Sequence, residues 1–398
     1  MDQVIVEITS TATIAIAAFG IAFCLTQTKY SYVSRSFAMF LGAVAVNNVP
    51  DAFRQLLEGT DEFFVQLAEL LIWFPSSLCL APLFWLYVYS LTSPTDQRPA
   101  RVYRHLLLPG FAVLVGLLIA VTPNDVWVLL NTDTIDTTSA WSMVLLSVMA
   151  LLQLVVFVQV GVYLLLIVRR LTRYRIKLRD VYSSTEAHEL RWIYVIGGLG
   201  ALFWLASVSI QFLVLSPEQE GALAAVLSVA SLSGLALIAT TTLWGLRQRP
   251  PLVPDMDDAQ TAEIMEDQPA GKYEKSALSA EASARIARKL RAAMDKDQLH
   301  RDPNLSLWAL ARHVGASPNY ISQTLSEEIG ESFFDFVNGY RIAEAKDLLA
   351  NTDDTVLAIT YEVGFNARSS FYNAFKRLTG QTPTSYRKTL SQRAGVDD

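Results

Sequence analysis

Residues 361–387 read YEVGFNARSSFYNAFKRLTGQTPTSYR, and the rest of the chain is read outward from them. Val363-Gly364 ends a short helix, because glycine takes the left-handed conformation that a sharp turn needs. Asn366 is placed to cap the next helix. Along it Phe371, Ala374, Phe375 and Leu378 recur at helical spacing and are expected to face a core. Arg368, Ser369, Tyr372 and Asn373 fall on the other side, followed by Lys376 and Arg377. Gly380 closes that helix, and Thr382-Pro383 opens another as N-cap and first-turn proline. A helix, a tight turn and a polar helix carrying Arg and Asn make a helix-turn-helix, whose second helix reads the major groove.

The same plan occurs upstream. Ser306 caps a helix with Leu307, Leu310, Ala311 and Val314 at i, i+3, i+4 and i+7. Gly315 makes the turn, and Ser317-Pro318 opens the helix NYISQTLSEEI. Val314-Gly315 stands 49 residues before Val363-Gly364, so the region is an approximate internal repeat. Between the motifs, Phe333, Phe336, Val337, Tyr340, Ile342, Ala345 and Leu348-Leu349 belong to one long joining helix. Ile286, Leu290 and Met294 stripe a helix that precedes both.

With these residues in register, GFNARSSFYNAFKRLTGQTPTSYR resembles the C-terminal signature of the AraC/XylS family of transcriptional regulators. Gly364-Phe365, Phe371, Phe375-Lys376, Gly380, Pro383 and Tyr386-Arg387 carry the likeness, which extends over 279–390, under a third of the chain. The resemblance implies a DNA-binding domain with two helix-turn-helix motifs, here 306–327 and 355–378, held by the joining helix about one DNA turn (~34 Å) apart. Carried over by position, the base-reading candidates are Asn319, Ser322 and Gln323 in the first motif and Arg368, Ser369, Tyr372 and Asn373 in the second. Arg forks onto guanine, and Asn and Gln pair with adenine. Lys376, Arg377, Arg387 and Lys388 are assigned to phosphates, which position the protein without reading sequence. Arg341 is assigned to a structural ion pair, and Tyr386 and Phe375 to the core. Many soluble relatives carry a sugar-binding β-barrel ahead of the reader. This chain does not resemble them there, so their effectors do not transfer.

What stands there instead is apolar. Of the 398 residues 52% are hydrophobic and only 18% charged, against about 25% charged in a soluble globular chain. A bilayer core of about 30 Å needs about 20 apolar residues per helix. Seven stretches qualify: 4–26, 36–57, 65–91, 105–122, 141–168, 191–215 and 221–246. The second is the least apolar, interrupted by Asn47, Asn48, Asp51 and Arg54. Loop charge orients them. Lys29 and Arg35, then Arg98, Arg101 and Arg104, then the run from Arg169 to Arg179, then Arg247 and Arg249 alternate with acidic loops around Glu58, Asp133 and Glu218 that hold no Lys or Arg. Basic loops stay cytoplasmic. The N-terminus is therefore expected outside and the C-terminus in the cytoplasm, where DNA is. The basic run is read as a topology determinant rather than a lipid or DNA site. The acidic start MDQVIVEITS lacks the basic region of a cleaved signal peptide.

The expected fold class is all-α. A seven-span transmembrane domain (1–249) is followed by an acidic, Pro-containing linker (250–278) and a soluble DNA-binding domain (279–390). The expected partners are double-stranded DNA, membrane lipids, a second copy in a homodimer, and an unknown small-molecule or membrane-derived signal. The expected location is the bacterial inner membrane. No cofactor, metal site or catalytic group is expected: HExxH, GxSxG and phosphate-loop motifs are absent, the four histidines do not cluster, and Cys24 and Cys79 sit in apolar stretches.

Asn47, Asp51, Arg54 and Glu58 share one stripe of the second span at i, i+4, i+7 and i+11. A rise of about 1.5 Å per residue from Arg35 puts Asn47 about 18 Å deep, with Glu69 of the third span at similar depth. Pro50 cannot donate its backbone N–H and kinks the helix here. Ionisable groups in lipid are costly unless paired or facing a wet cavity. Asn47, Asp51, Arg54 and Glu69 are therefore the signal-sensing candidates, the alternative being an Asp51–Arg54 or Arg54–Glu69 pair that only joins helices. At the level of the whole chain a membrane-embedded regulator competes with a non-sensing tether for DNA and with a transporter or receptor bearing a regulatory tail.

Overall fold

The computed structural model describes residues 2–28, 30–57, 60, 62–93, 102–121, 140–184, 190, 192–214, 220–247 and 278–394. The expected linker lies outside them except for its last residue, as do the loop around Asp133, and Lys29, Glu58, Arg98, Arg101, Glu218 and Arg249. Among the described residues the chain is all-helical, with one isolated β-bridge and no strand. Contacts divide it into two units, 1–171 with 190–251 and 172–189 with 252–398.

The first unit holds α1 (Asp2–Thr26), α2 (Ser31–Asn47), α3 (Glu62–Ala68), α4 (Phe74–Leu91), α5 (Leu107–Ala120), most of α6 (Ala140–Arg179), α7 (Trp192–Val214) and α8 (Glu220–Gly245). Among the described residues six helices are long and apolar enough to cross a membrane. The one expected span missing from that set is 36–57. It forms α2, 17 residues long, and then two single turns, Val49–Ala52 and Arg54–Leu57. Pro50 sits at the start of the first turn, where its missing N–H costs nothing, and the helix above it stops at Asn47. α2 nevertheless packs against both α1 and α4, burying Val33, Phe37, Phe40, Leu41 and Val44. Phe37 lies 4.5 Å from the Tyr87 ring. Between α3 and α4 the chain makes one π-helical turn, Glu69–Trp73. There α5 comes so close that a Cβ on Gly116 would stand 2.8 Å from the Leu70 carbonyl oxygen.

The second unit continues α6 beyond Leu171 and resumes with α9 (Ala280–Asp295), α10 (Leu307–Val314), α11 (Pro318–Thr324), α12 (Phe333–Asn351), α13 (Val356–Glu362), α14 (Arg368–Thr379) and α15 (Pro383–Ala394). Side-chain caps start most of them: Ser306, Ser317, Ser332 and Thr355 each accept a backbone N–H from the first turn. Two cores result. Leu290, Met294, Leu307, Leu310, Val314, Ile321, Phe333 and Val337 fill the first. Ile342, Ala345, Leu349, Ile359, Val363, Phe371 and Phe375 fill the second. α12 supplies residues to both, and so ties the two motifs together.

Two local expectations change. Leu378 is 47% exposed although it continues the stripe of Phe371 and Phe375, which are fully buried. Helical spacing sets direction around the axis, but the packed neighbours end before the last turn. Asn366 caps nothing: the N-cap of α14 is Ala367, without a side-chain bond, and Asn366 Nδ2 donates to the Pro303 carbonyl at 2.9 Å.

Candidate nucleic-acid interface and polar cavity

In each motif a positive-φ glycine makes the turn into the polar helix. Gly315 (φ 67°) separates α10 from α11, and Gly364 (φ 91°) lies between α13 and α14. On α11, Ile321 is buried while Asn319 and Ser322 are exposed. Gln323 is half-buried and donates to Glu327 at 2.9 Å. On α14, Phe371, Ala374 and Phe375 turn inward, leaving Arg368, Ser369 and Asn373 exposed.

Arg368 is pre-positioned. Its guanidinium lies 4.9 Å from the Tyr372 ring centre and donates to the Tyr372 hydroxyl at 3.2 Å. That hydroxyl is 3.1 Å from Thr384 Oγ1 on α15. The hydrogen bond with Thr384 lowers the Tyr372 pKa, with Arg368 adding to the effect against the opposing pull of burial. A guanidinium at the first residue of an exposed helix, steered by an aromatic ring, is suited to an acceptor pair on a base edge.

The four cations assigned to phosphates divide. Lys376 and Lys388 are exposed. Arg377 forms an ion pair with Asp335 and stacks 5.7 Å from the Phe334 ring, both at the start of α12. Arg387 is half-buried and donates to the Leu349 carbonyl at 3.3 Å. Both arginines thus bind α14 and α15 to α12, a role that charge type and position did not reveal.

Arg341 on α12 is 0% exposed. It is structural, as expected, and among its partners are neutral oxygens: the carbonyls of His300 (2.6 Å) and Asp302 (2.8 Å), Asn338 Oδ1, and oxygens of Ser183 and Ser184. A buried guanidinium needs such a set to offset its lost hydration. Nearby, Glu344 takes hydrogen bonds from Arg301 and from His300, whose Nε2 is 2.8 Å away. Burial raises the Glu344 pKa, but those bonds outweigh it and the net shift is downward.

In the first unit, Asn47, Asp51, Arg54 and Glu69 line one cavity of about 630 Å³, with Trp73, Ser77 and Gln153 among the other walls. Arg54 donates to Asp51 at 3.1 Å, both side chains 45% exposed. Asn47 Nδ2 lies 3.4 Å from the Trp73 carbonyl and from Ser76 Oγ, which ties the end of α2 to the π-turn. π-turns concentrate at functional sites because the extra residue re-aims side chains. Gln153, one of two glutamines in an apolar span, was a legible signal for this wall that went unused.

Comparison with known proteins bears on the C-terminal region. Residues 310–389 match a family described as a helix-turn-helix domain. An uncharacterised HTH-type transcriptional regulator of Staphylococcus aureus (strain COL) is 38% identical over 99 residues, 25% of this chain and 13% of its own length. The uncharacterised HTH-type transcriptional regulator YtdP of Bacillus subtilis (strain 168) is 37% identical over 87 residues, 22% of this chain and 11% of its own. The chain therefore spans under a sixth of these relatives. Among solved structures, the C-terminal domain of AraT, a response regulator from Geobacillus stearothermophilus, is 28% identical, covering 29% of this chain and 88% of that one, with a TM-score of 0.25. The C-terminal part of this chain carries a helix-turn-helix domain, a domain type its relatives' descriptions associate with transcription regulators.

Proposed function

We propose that this protein is a one-component transcription regulator of the AraC type, set in the bacterial inner membrane, which binds specific double-stranded DNA and is not an enzyme. One observation carries the reading: two capped helix-turn-helix motifs, each with its own apolar core, share α12 and turn polar helices outward. The match over 310–389 supports it. Asn319, Ser322, Gln323, Arg368, Ser369, Tyr372 and Asn373 are the proposed base readers, with Lys376 and Lys388 on phosphates.

The membrane half of the proposal keeps seven spans, counting α2 with its broken extension as the second. Six spans would place both termini on one side of the bilayer and spoil the alternation of basic and acidic loops. The long helices turn Phe19, Leu154, Val158 and Phe212 outward, each more than half exposed, a surface that lipid would cover. The cavity lined by Asn47, Asp51, Arg54 and Glu69 is the proposed signal site, receiving a small molecule or a membrane-derived compound from the outer side. A homodimer presenting paired readers completes the proposal.

The test compares transcripts and chromatin occupancy in cells making the full chain, the full chain with Arg368→Ala and Asn373→Ala, or neither. Genes that respond to the first alone, at sites the tagged protein occupies, support the reading. Identical transcripts in all three would remove it. Output that never varies with growth condition would favour the tether over the sensor.

A further inference from the structure

Residues 181–184 follow α6 in the segment read as a cytoplasmic loop, yet they pack within the DNA-binding unit. Tyr182 forms an antiparallel bridge with Ser306, the N-cap of α10. The Leu307 N–H donates to the Val181 carbonyl at 2.8 Å, and the Ser183 N–H to the Leu305 carbonyl at 3.2 Å. Leu307 opens α10, so its N–H is one of the first-turn donors that a helix cannot satisfy internally. The segment supplies that missing acceptor.

Its side chains engage the joining helix. Arg341 Nη2 donates to Ser183 Oγ at 3.0 Å, and Nη1 to the Ser183 carbonyl and to Ser184 Oγ at 3.2 Å. Asn338, also fully buried, donates to the Ser183 carbonyl at 3.2 Å. Ser183 Oγ donates in turn to the Leu305 carbonyl at 2.8 Å. Arg179 lies 5.5 Å from the Phe334 ring, which Arg377 of the second motif also approaches. Asp180 shares a cavity of about 360 Å³ with Ser322 of α11. Three hydrogen bonds that hold a fully buried arginine at the centre of the reader thus come from a segment more than 150 positions away in sequence.

We infer that residues 181–184 are a docking strap that orders the first helix-turn-helix motif, and that the strapped reader is the DNA-competent state. The contact is mostly polar, so on release its groups exchange partners for water, whereas opening an apolar core has no such compensation. The chain leads from the strap directly into α6 on one side and towards α7 on the other. A shift in α6 therefore reaches the strap through the covalent chain. Undocking removes the acceptor at the start of α10 and three hydrogen bonds from Arg341, and loosens α10 and α11 ahead of α12. The DNA-competence part rests on the function proposed above; the docking itself does not.

The test uses the full chain in native membranes, with Cys24 and Cys79 replaced by Ser and a protease site placed in 250–278. Tyr182→Cys with Ser306→Cys should form a disulfide under mild oxidant, because directly opposed residues of an antiparallel pair stand at bridging distance. After cleavage the two halves should stay joined until reduced. Ser183→Pro removes the N–H to Leu305. It should slow the crosslink and lower chromatin occupancy by on the order of tenfold. Ser183→Ala keeps the backbone bonds and should give a smaller fall at normal abundance. No crosslink, or unchanged occupancy in Ser183→Pro chains at normal abundance, overturns the inference. A chain that forms the crosslink yet occupies no DNA either oxidised or reduced leaves the strap in place and overturns the DNA-binding reading instead, whereas occupancy only after reduction overturns the DNA competence of the strapped state.

Discussion

Alanine at Gly364 should cost far more than alanine at Gly380, although both glycines have positive φ, 91° and 76°. A left-handed conformation costs an L-residue roughly 1–2 kcal/mol, and that applies to both. At Gly380 nothing lies within 4 Å of an added Cβ, so the conformational term stands alone. At Gly364 the Cβ would meet the carbonyl oxygens of His300 at 2.6 Å and Arg301 at 2.7 Å. These are backbone atoms, and the His300 oxygen is already held by Arg341 Nε. Neither can swing aside as a side chain would, so the turn must move. Forced shifts of this kind cost about 1–3 kcal/mol. Gly364→Ala should therefore lose about 2–5 kcal/mol and Gly380→Ala about 1–2 kcal/mol. Hydrogen exchange with mass spectrometry on the full chain in nanodiscs reads this locally, since about 1.4 kcal/mol of opening free energy is tenfold in exchange rate. Amides of α13 and α14 should exchange at least several-fold faster in Gly364→Ala than in Gly380→Ala. Equal exchange in the two variants would show that the close approach to residues 300–301 is not made.

Arg368→Ala should cost about 1–3 kcal/mol of DNA affinity and relax specificity at one base step. Lys376→Ala should instead weaken all sequences and reduce the salt slope by about one; a uniform loss with Arg368→Ala would count against base reading. Glu344 has a depressed folded-state pKa, so its contribution is present above the unfolded carboxyl value of about 4.3 and is lost as pH falls through the folded value. Exchange protection around α12 should accordingly drop on acidification below that value, and Glu344→Gln should flatten the profile; identical profiles would refute the linkage. Reporter fusions after Asp136 and after Arg249 should report opposite sides of the membrane, and finding both on one side would mean that one of α6, α7 and α8 does not cross. Asp51→Asn and Arg54→Gln should abolish the signal response of a target promoter at normal protein abundance, while loss explained by lower abundance would reduce the Asp51–Arg54 pair to a helix fastener.

Much of the reader was legible because its signals are local. Ser306, Ser317 and Thr382-Pro383 start helices where they were expected to, since an N-cap bond joins residues two or three apart. Gly315 and Gly380 turn the chain because only φ is asked of them, and the turn at Gly364 was legible for the same reason. Asn47, Asp51 and Arg54 were expected on one helical stripe; the helix ends at Asn47, yet the cavity gathers all three with Glu69. Tertiary structure decided what no local rule contains. Period gave Leu378 a direction but not the reach of the helices it faces, and it ends exposed. Asn366 had a cap to make and took Pro303 instead, 63 positions away. Composition allowed 36–57 to be one span, whereas packing against α1 and α4 holds α2 as a helix that ends at Asn47. Arg341 is the clearest case. Its structural role was expected from its place in the joining helix, but its acceptors on Ser183 and Ser184 lie 158 and 157 positions upstream. A backbone carbonyl is the same acceptor at every position, so only the folded path of the chain determines which one meets a buried guanidinium.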